Sequence, residues 1–414
     1  MNKNINITEV ENGIVVVSEK LTEIKSYTLG FWFNTGSRDE TEENNGISHF
    51  IEHSLFKGTK KRTAKKISDE IETTGGYLNA FTTKEHTCYY GRGISGSEKK
   101  MFSVLSDMVQ NPLFSDRELK KESGVILDEL YDILDTPEEF IFDEFEELLF
   151  GRNSLAMSII GTERNIKEFN HRSVKEYFDK NYFGGKLLIV ASGNIEHSDL
   201  LKLCGKYITK KYSSADKPNR RKPGRQKAKS KFIKHPINQY YSIIGTSGVG
   251  YSHKDYYKLR LLSVILGEGS SSRLFQTLRE KSGIAYQINT FVNSYSDISA
   301  FGVYFSTNNN NRKKARELIF KEFDKLLSKG VSKSELAKAR KIFIGNTILS
   351  IESTSNRMNR IGNSLLAYGK IKPIEESVRE VERITTEEIL ATAKSLLDET
   401  RLFEIGVEPE EKSR

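Results

Sequence analysis

The chain has 414 residues, a charged fraction of 29%, a hydrophobic set of 37%, and a formal net charge of +8 from 64 basic and 56 acidic residues. That length accommodates two or three domains, each large enough to bury a core, and no apolar run approaches the ~18 residues a membrane helix needs. The two cysteines, Cys88 and Cys204, exclude a disulfide framework and a four-cysteine zinc site, and read as small buried thiols.

The opening "MNKNINITEVENGIVVVSEK" lacks the apolar core and cleavage site of a signal peptide, and is too acidic for a transit peptide. The expectation is a cytoplasmic protein without a membrane partner. "GIVVVSEK" and "SYTLGFWFNTGS" alternate apolar and polar residues and predict strands. "GISHFIEHSLFKGT" (46–59) follows, with two of the chain's seven histidines four residues apart. It predicts a helix with Ser48 as N-cap. "TAKKISDEIETTGG" predicts a second helix closed by Gly75 and Gly76. "YLNAFTTKEHTCYYGRGI" alternates as a hairpin, Ser115 to Phe150 is helical, and "GKLLIVASGNI" (185–195) is a buried strand.

The stretch 210–235 is strongly basic and poor in apolar residues. Nucleic-acid binding asks for aromatics interleaved with that charge or a known fold around it. Neither is present, so the segment reads as a solvated linker and no nucleic-acid partner is expected. Beyond it the order recurs: strand "QYYSIIGTSGV", helices "KDYYKLRLLSVILG" and "SSRLFQTLREKSG", strands through "AYQINTFVNSYSDISAFGVYF", then helices from Asn311 and Ser332. Echoes such as "ELKKESGVI" at 118 and "ELAKARKIFI" at 335 support an internal repeat. The fold expected is α+β, with two homologous halves, 1–211 and 230–414, joined by a basic linker at 212–229. Each half is a mainly antiparallel sheet backed by helices, and the two face each other across a cleft. The second half lacks the histidine pair, and Asn346 stands where the first half has Glu129. Only the first is therefore expected to hold metal.

On a helix, positions four apart share a face, so His49 and His53 can point at one ion, with Glu52 flanking them. Zinc suits imidazole, and a catalytic site combines three protein ligands with a water. The metal lowers that water's pKa to about 7, within reach of a neighbouring carboxylate base. The order HxxEH is a protease signature. A third ligand is needed, and "DRELKKESGVILDELYDIL" offers Glu122 and Glu129 two helical turns apart, on nearly the same face. Spacing alone does not choose between them.

The whole chain resembles the pitrilysin–insulinase–mitochondrial processing peptidase family, the inverzincin zinc metallopeptidases, and its short bacterial processing-peptidase-like members in particular. "GSRDETEENNGISHFIEHSLFKGTKKRT", "GGYLNAFTTKEHTCYY", "KESGVILDELYDILDTPEE", "SLAMSIIGT" and "SSRLFQTLREKSGIAYQI" occur in family order. The resemblance implies one Zn2+ per chain held by His49, His53 and Glu129, with Glu122 as a supporting outer carboxylate and Glu52 as general base. It implies that Asn79 and Ala80 lie on an edge strand pairing with substrate backbone. Arg279 and Tyr286 would reach from the inactive half to the substrate carbonyl. The substrate implied is a peptide or unfolded protein segment, and a homodimer or a related partner subunit is consistent with the family. Ala156 and Ser158 stand where the family often has Gly and Pro, and Glu268 and Ser270 where it often has a Gly-rich turn, which touches substrate preference. The alternatives are a non-catalytic subunit of the same family, or a basic nucleic-acid-binding protein with a structural zinc.

Overall fold

The structure is a computed structural model that describes residues 4–11, 13–213 and 218–410. Part of the expected linker, 214–217, lies outside the described residues. The chain groups into two compact units, each discontinuous in sequence. The first comprises Met1–Tyr131, Met157–Arg220 and Ser350–Pro373; the second comprises Asp132–Ala156, Arg221–Leu349 and Ile374–Arg414. The segments drawn from the linker's composition, 1–211 and 230–414, are contiguous, whereas each unit takes helix-bearing residues from the far side of the linker.

The first unit is built on a sheet of β1 (Ile5–Val10), β2 (Ile14–Lys20), β3 (Ser26–Phe33), β4 (Tyr77–Thr82), β5 (Thr87–Ile94) and β6 (Leu187–Gly193). Their order is β1-β2-β6-β3-β5-β4, antiparallel except for the β2–β6 pair. β3 and β6 are buried along nearly their whole length, which explains their near-continuous apolar sequence. β4 is an edge. The second unit repeats the plan with β7 (Ser230–His235), β8 (Tyr240–Val249), β9 (Ala285–Ser294), β10 (Ile298–Thr307) and β11 (Phe403–Pro409). The order is β7-β11-β8-β10-β9, again with one parallel pair, β7–β11, at the matching place. This is a mixed α+β fold with a repeated half.

The helices include α1 (Ile47–Leu55), α2 (Asp116–Asp135), α3 (Pro137–Phe150), α4 (Lys333–Ser350), α5 (Thr354–Tyr368) and α6 (Thr386–Leu396). The continuous helical region expected from Ser115 to Phe150 is broken between α2 and α3, where Pro137 opens a new helix. In the first unit α5 covers the sheet face formed by Val17, Trp32, Cys88, Leu188 and Val190. Trp32 Nε1 donates to Met358 Sδ at 3.1 Å, and a Cβ on Gly362 would meet the indole ring at 2.5 Å, so only glycine fits there. In the second unit α3 covers Ile243, Tyr304 and Ile405 with Ile141 and Phe145. Cys88 and Cys204 are buried free thiols, as expected. Among the described residues no helix is long and apolar enough to cross a membrane.

Candidate metal centre

Helix α1 does not begin as expected. Ser48 lies inside the helix, its hydroxyl paired with the Tyr177 hydroxyl at 3.0 Å, and Gly46 is the N-cap at φ 98°. Glycine is favoured there twice over: the backbone is left-handed, and a Cβ would meet the Ile160 carbonyl at 2.5 Å. Without a capping side chain of its own, the helix end is served by Glu40. Its carboxylate accepts from the Gly46 N–H (2.7 Å), the Ser48 N–H (2.8 Å) and Asn45 Nδ2 (3.0 Å). Burial pushes the Glu40 carboxyl up to about 7, although these donors pull the other way. Because N–H groups at a helix start are otherwise unsatisfied, a distant carboxylate fixes the helix that carries both histidines.

From that helix His49 and His53 project together, their ring centroids 4.7 Å apart. Glu129, on α2, brings its two carboxylate oxygens to 3.7 Å from His49 Nε2 and 3.5 Å from His53 Nε2. One ligand atom from each of the three lies within 4.8 Å of the other two. A tetrahedral zinc with bonds of about 2.0–2.1 Å separates its ligands by roughly 3.3–3.4 Å. The two Glu129 contacts are close to that spacing, and the three groups can converge on one ion. Burial, then the neighbouring His53, holds His49 down at about 4. It stays neutral with a lone pair free at neutral pH, as a metal ligand must. Burial also disfavours charge on His53, but Glu122, Glu129 and Glu52 outweigh it and the net shift is upward.

Glu122 is one step outward, 5% exposed, 3.5 Å from His53 Nδ1 and ion-paired to Lys57 Nζ at 2.8 Å. Burial opposes its charge, yet His53 and Lys57 bring its carboxyl below the usual range. The two glutamates that spacing could not separate are distinguished by contact: Glu129 faces both Nε2 atoms, Glu122 the far side of one ring. Glu52 accepts from the Thr82 hydroxyl at 2.6 Å. Burial raises its carboxyl, and the Thr82 bond and His53 restrain that rise. Lys57 and Thr82 are absent from the sequence-based expectations. Lys57 carried no helical signal, since it lies in the turn after α1 ends at Leu55.

Asn79 and Ala80 sit on edge strand β4, paired with Tyr90 and Tyr89 of β5. The Ala80 N–H is bonded by Asn79 Oδ1 at 2.8 Å, so it stands outside the ladder. Arg279 and Tyr286 belong to the second unit. Arg279 lies on a π-helical turn, Phe275–Lys281, an uncommon geometry that concentrates at functional sites. Its guanidinium carbon is 5.8 Å from the Phe275 ring centroid and 5.7 Å from that of Tyr286, which is 62% exposed.

Comparison with known proteins gives this arrangement a context. Residues 15–163 match the model described as insulinase (peptidase family M16), and 168–343 match the model of the peptidase M16 inactive domain. A Bacillus subtilis protein named uncharacterized zinc protease YmxG is 34% identical, covering 94% of this chain and 95% of that one. The chain belongs to peptidase family M16, the insulinase family. An uncharacterized zinc protease of Streptomyces coelicolor is 31% identical over 94% of this chain and 86% of its own length. At the level of fold, the crystal structure of a protease from Helicobacter pylori superposes with a TM-score of 0.91 at 20% identity, covering 98% of this chain and 99% of that one. The M16 models fall as the sequence repeat does, the insulinase model on the segment with the histidine pair and the inactive-domain model mostly on the segment without it.

Proposed function

We propose that this M16 protein is a zinc-dependent endopeptidase acting on peptides or unfolded segments, with His49, His53 and Glu129 as the metal ligands. The observation that carries the proposal is the convergence of two imidazole Nε2 atoms and a carboxylate, with Glu52 beside them. Bound there, zinc would supply Lewis acidity to the scissile carbonyl and to a water. Glu52 takes the water's proton on a carboxylate oxygen and later gives it to the leaving amine nitrogen. The Thr82 hydroxyl fixes the carboxylate's orientation. β4 receives the substrate as an added strand, and the Ala80 N–H exchanges Asn79 Oδ1 for a substrate carbonyl. Side chains contribute little to such pairing, which suits varied peptides. Arg279 and Tyr286 are proposed as donors to the developing oxyanion. In support, the Arg279 guanidinium packs against two aromatic rings, and no carboxylate pairs with it among the described residues.

The test is Glu52→Gln. It should retain bound zinc and the native fold while losing peptide hydrolysis by about 10²–10⁴, the range for a general base. Near-normal turnover in metal-replete Glu52→Gln protein would remove Glu52 from this role. Hydrolysis absent from the metal-replete wild type across a peptide library would favour a non-catalytic subunit.

A further inference from the structure

The basic stretch read from composition as a solvated linker does more than join segments. Residues 222–228 form one wall of a cavity of about 530 Å3 in the second unit. The other walls come from the C-terminal ends of α3, β8 and α6, and from Thr400–Arg401 ahead of β11. The segment is tied down at both ends of this wall: Asn153 Nδ2 donates to the Arg221 carbonyl at 3.1 Å, and Gln226 packs against Gly151. Arg401 is likewise held, by the Ser395 carbonyl.

Two properties of the lining point to a ligand class. Four cations contribute to it, Lys222, Arg225, Lys227 and Arg401, and no carboxylate does. Asp398 lies near two of them, its exposed carboxyl held below the usual range by Thr400 and then by Arg401 and Arg225. Behind the charge lies an apolar floor that includes Leu149, Val249 and Leu396. Ligand sites in proteins fall in the range of about 300–1,000 Å3 and combine apolar walls with a few convergent polar groups. Two guanidinium groups match the oxygens of a phosphate in a bidentate way that ammonium groups do not. Asp398 offsets part of this charge at Arg401 and Arg225, and the excess of cations over carboxylates in the lining still favours an anionic ligand.

We propose that this cavity binds a small molecule carrying a phosphate group on an apolar body, with the phosphate among the four cations and the body against the floor. The inference is independent of the peptidase reading, since every residue involved lies in the second unit.

Phenyl phosphate and inorganic phosphate are titrated calorimetrically into the full-length protein at fixed ionic strength. Phenyl phosphate should saturate one site per chain and bind at least about tenfold tighter than inorganic phosphate, as burial of the ring requires. Arg225→Ala with Lys227→Ala should weaken it by about tenfold or more. These side chains are exposed on an irregular segment, and circular dichroism checks that the fold persists. Lys206→Ala, an exposed cation of the first unit, should leave binding unchanged. Equal affinity for the two probes would overturn the apolar-body assignment. Absent saturation, or equal losses in the Lys206 and Arg225/Lys227 variants, would overturn the site.

Discussion

Glu122 and Glu129 are chemically identical, two turns apart, and separated in role by what each touches. Glu129 faces both Nε2 atoms, whereas Glu122 is occupied by Lys57 and the outer nitrogen of His53. Glu129→Gln should therefore lose zinc under mild chelation, while Glu122→Gln should retain it with affinity reduced by about 10–100-fold, the usual cost of removing an outer partner. Metal analysis after dialysis against a chelator ranks the two, and the reverse order would exchange the assignments. Thr82 offers a test of Glu52 through pH. Its hydrogen bond lowers a carboxyl that burial raises, so Thr82→Val should raise that carboxyl further. A base acts in its ionised form, and activity that depends on it rises with pH through its pKa. The acid limb of the pH profile should thus move to higher pH in Thr82→Val and return in Thr82→Ser. A limb that stays in place would mean that Glu52 is not the group titrating there.

At the scale of elements, the helix carrying the histidines was legible because its periodicity and motif lie in adjacent residues. How that helix is anchored was not. A serine next to the first apolar residue is the usual cap signal, but Ser48 points to Tyr177 and the cap comes from Glu40, which precedes the helix by seven residues. Propensity cannot register a carboxylate that arrives by a loop. Glu40→Ala would leave two backbone N–H groups and the Asn45 amide without this acceptor. At about 1–3 kcal/mol for a buried group left unsatisfied, the variant should unfold at clearly lower urea and bind zinc more weakly, since both histidines ride on α1. Unchanged stability would mean that water or another acceptor replaces the carboxylate. The edge position of β4 follows the same logic. The alternation of "YLNAFT" gives a strand in a local hairpin with β5, whereas its place at the sheet's end is decided by the long-range pairing of β5 with β3.

At the scale of the whole chain, the repeat was visible in sequence as recurring elements, but the membership of each unit was not. The basic linker is a sharp compositional boundary. No compositional signal reports that α5, more than a hundred residues beyond it, covers the first sheet. The signal that does exist is chemical: Trp32 is the chain's single tryptophan, fully buried, and its indole rests on Met358 and Gly362 of α5. This makes it a reporter of how the units are composed. A fragment of residues 1–220 contains the sheet and the metal ligands but lacks α5, so the face formed by Trp32, Leu188 and Val190 would be left to water. Removing the cover of a buried tryptophan and its neighbours forfeits several kcal/mol at roughly 25 cal/mol per Å2, which is comparable with the whole stability of a domain. The fragment alone should therefore show red-shifted tryptophan emission and bind zinc poorly. The complementary fragment, 221–414, carries α5 but lacks α3, which its own sheet needs over Ile243 and Tyr304. Mixed in equal amounts, each fragment supplies the helix the other lacks. Emission should shift back to the blue as zinc binding returns, because Trp32 regains Met358 and α1 regains a folded sheet beneath it. Native emission from residues 1–220 alone would mean that the first sheet closes its own core, and that the grouping of α5 with it contributes little to folding.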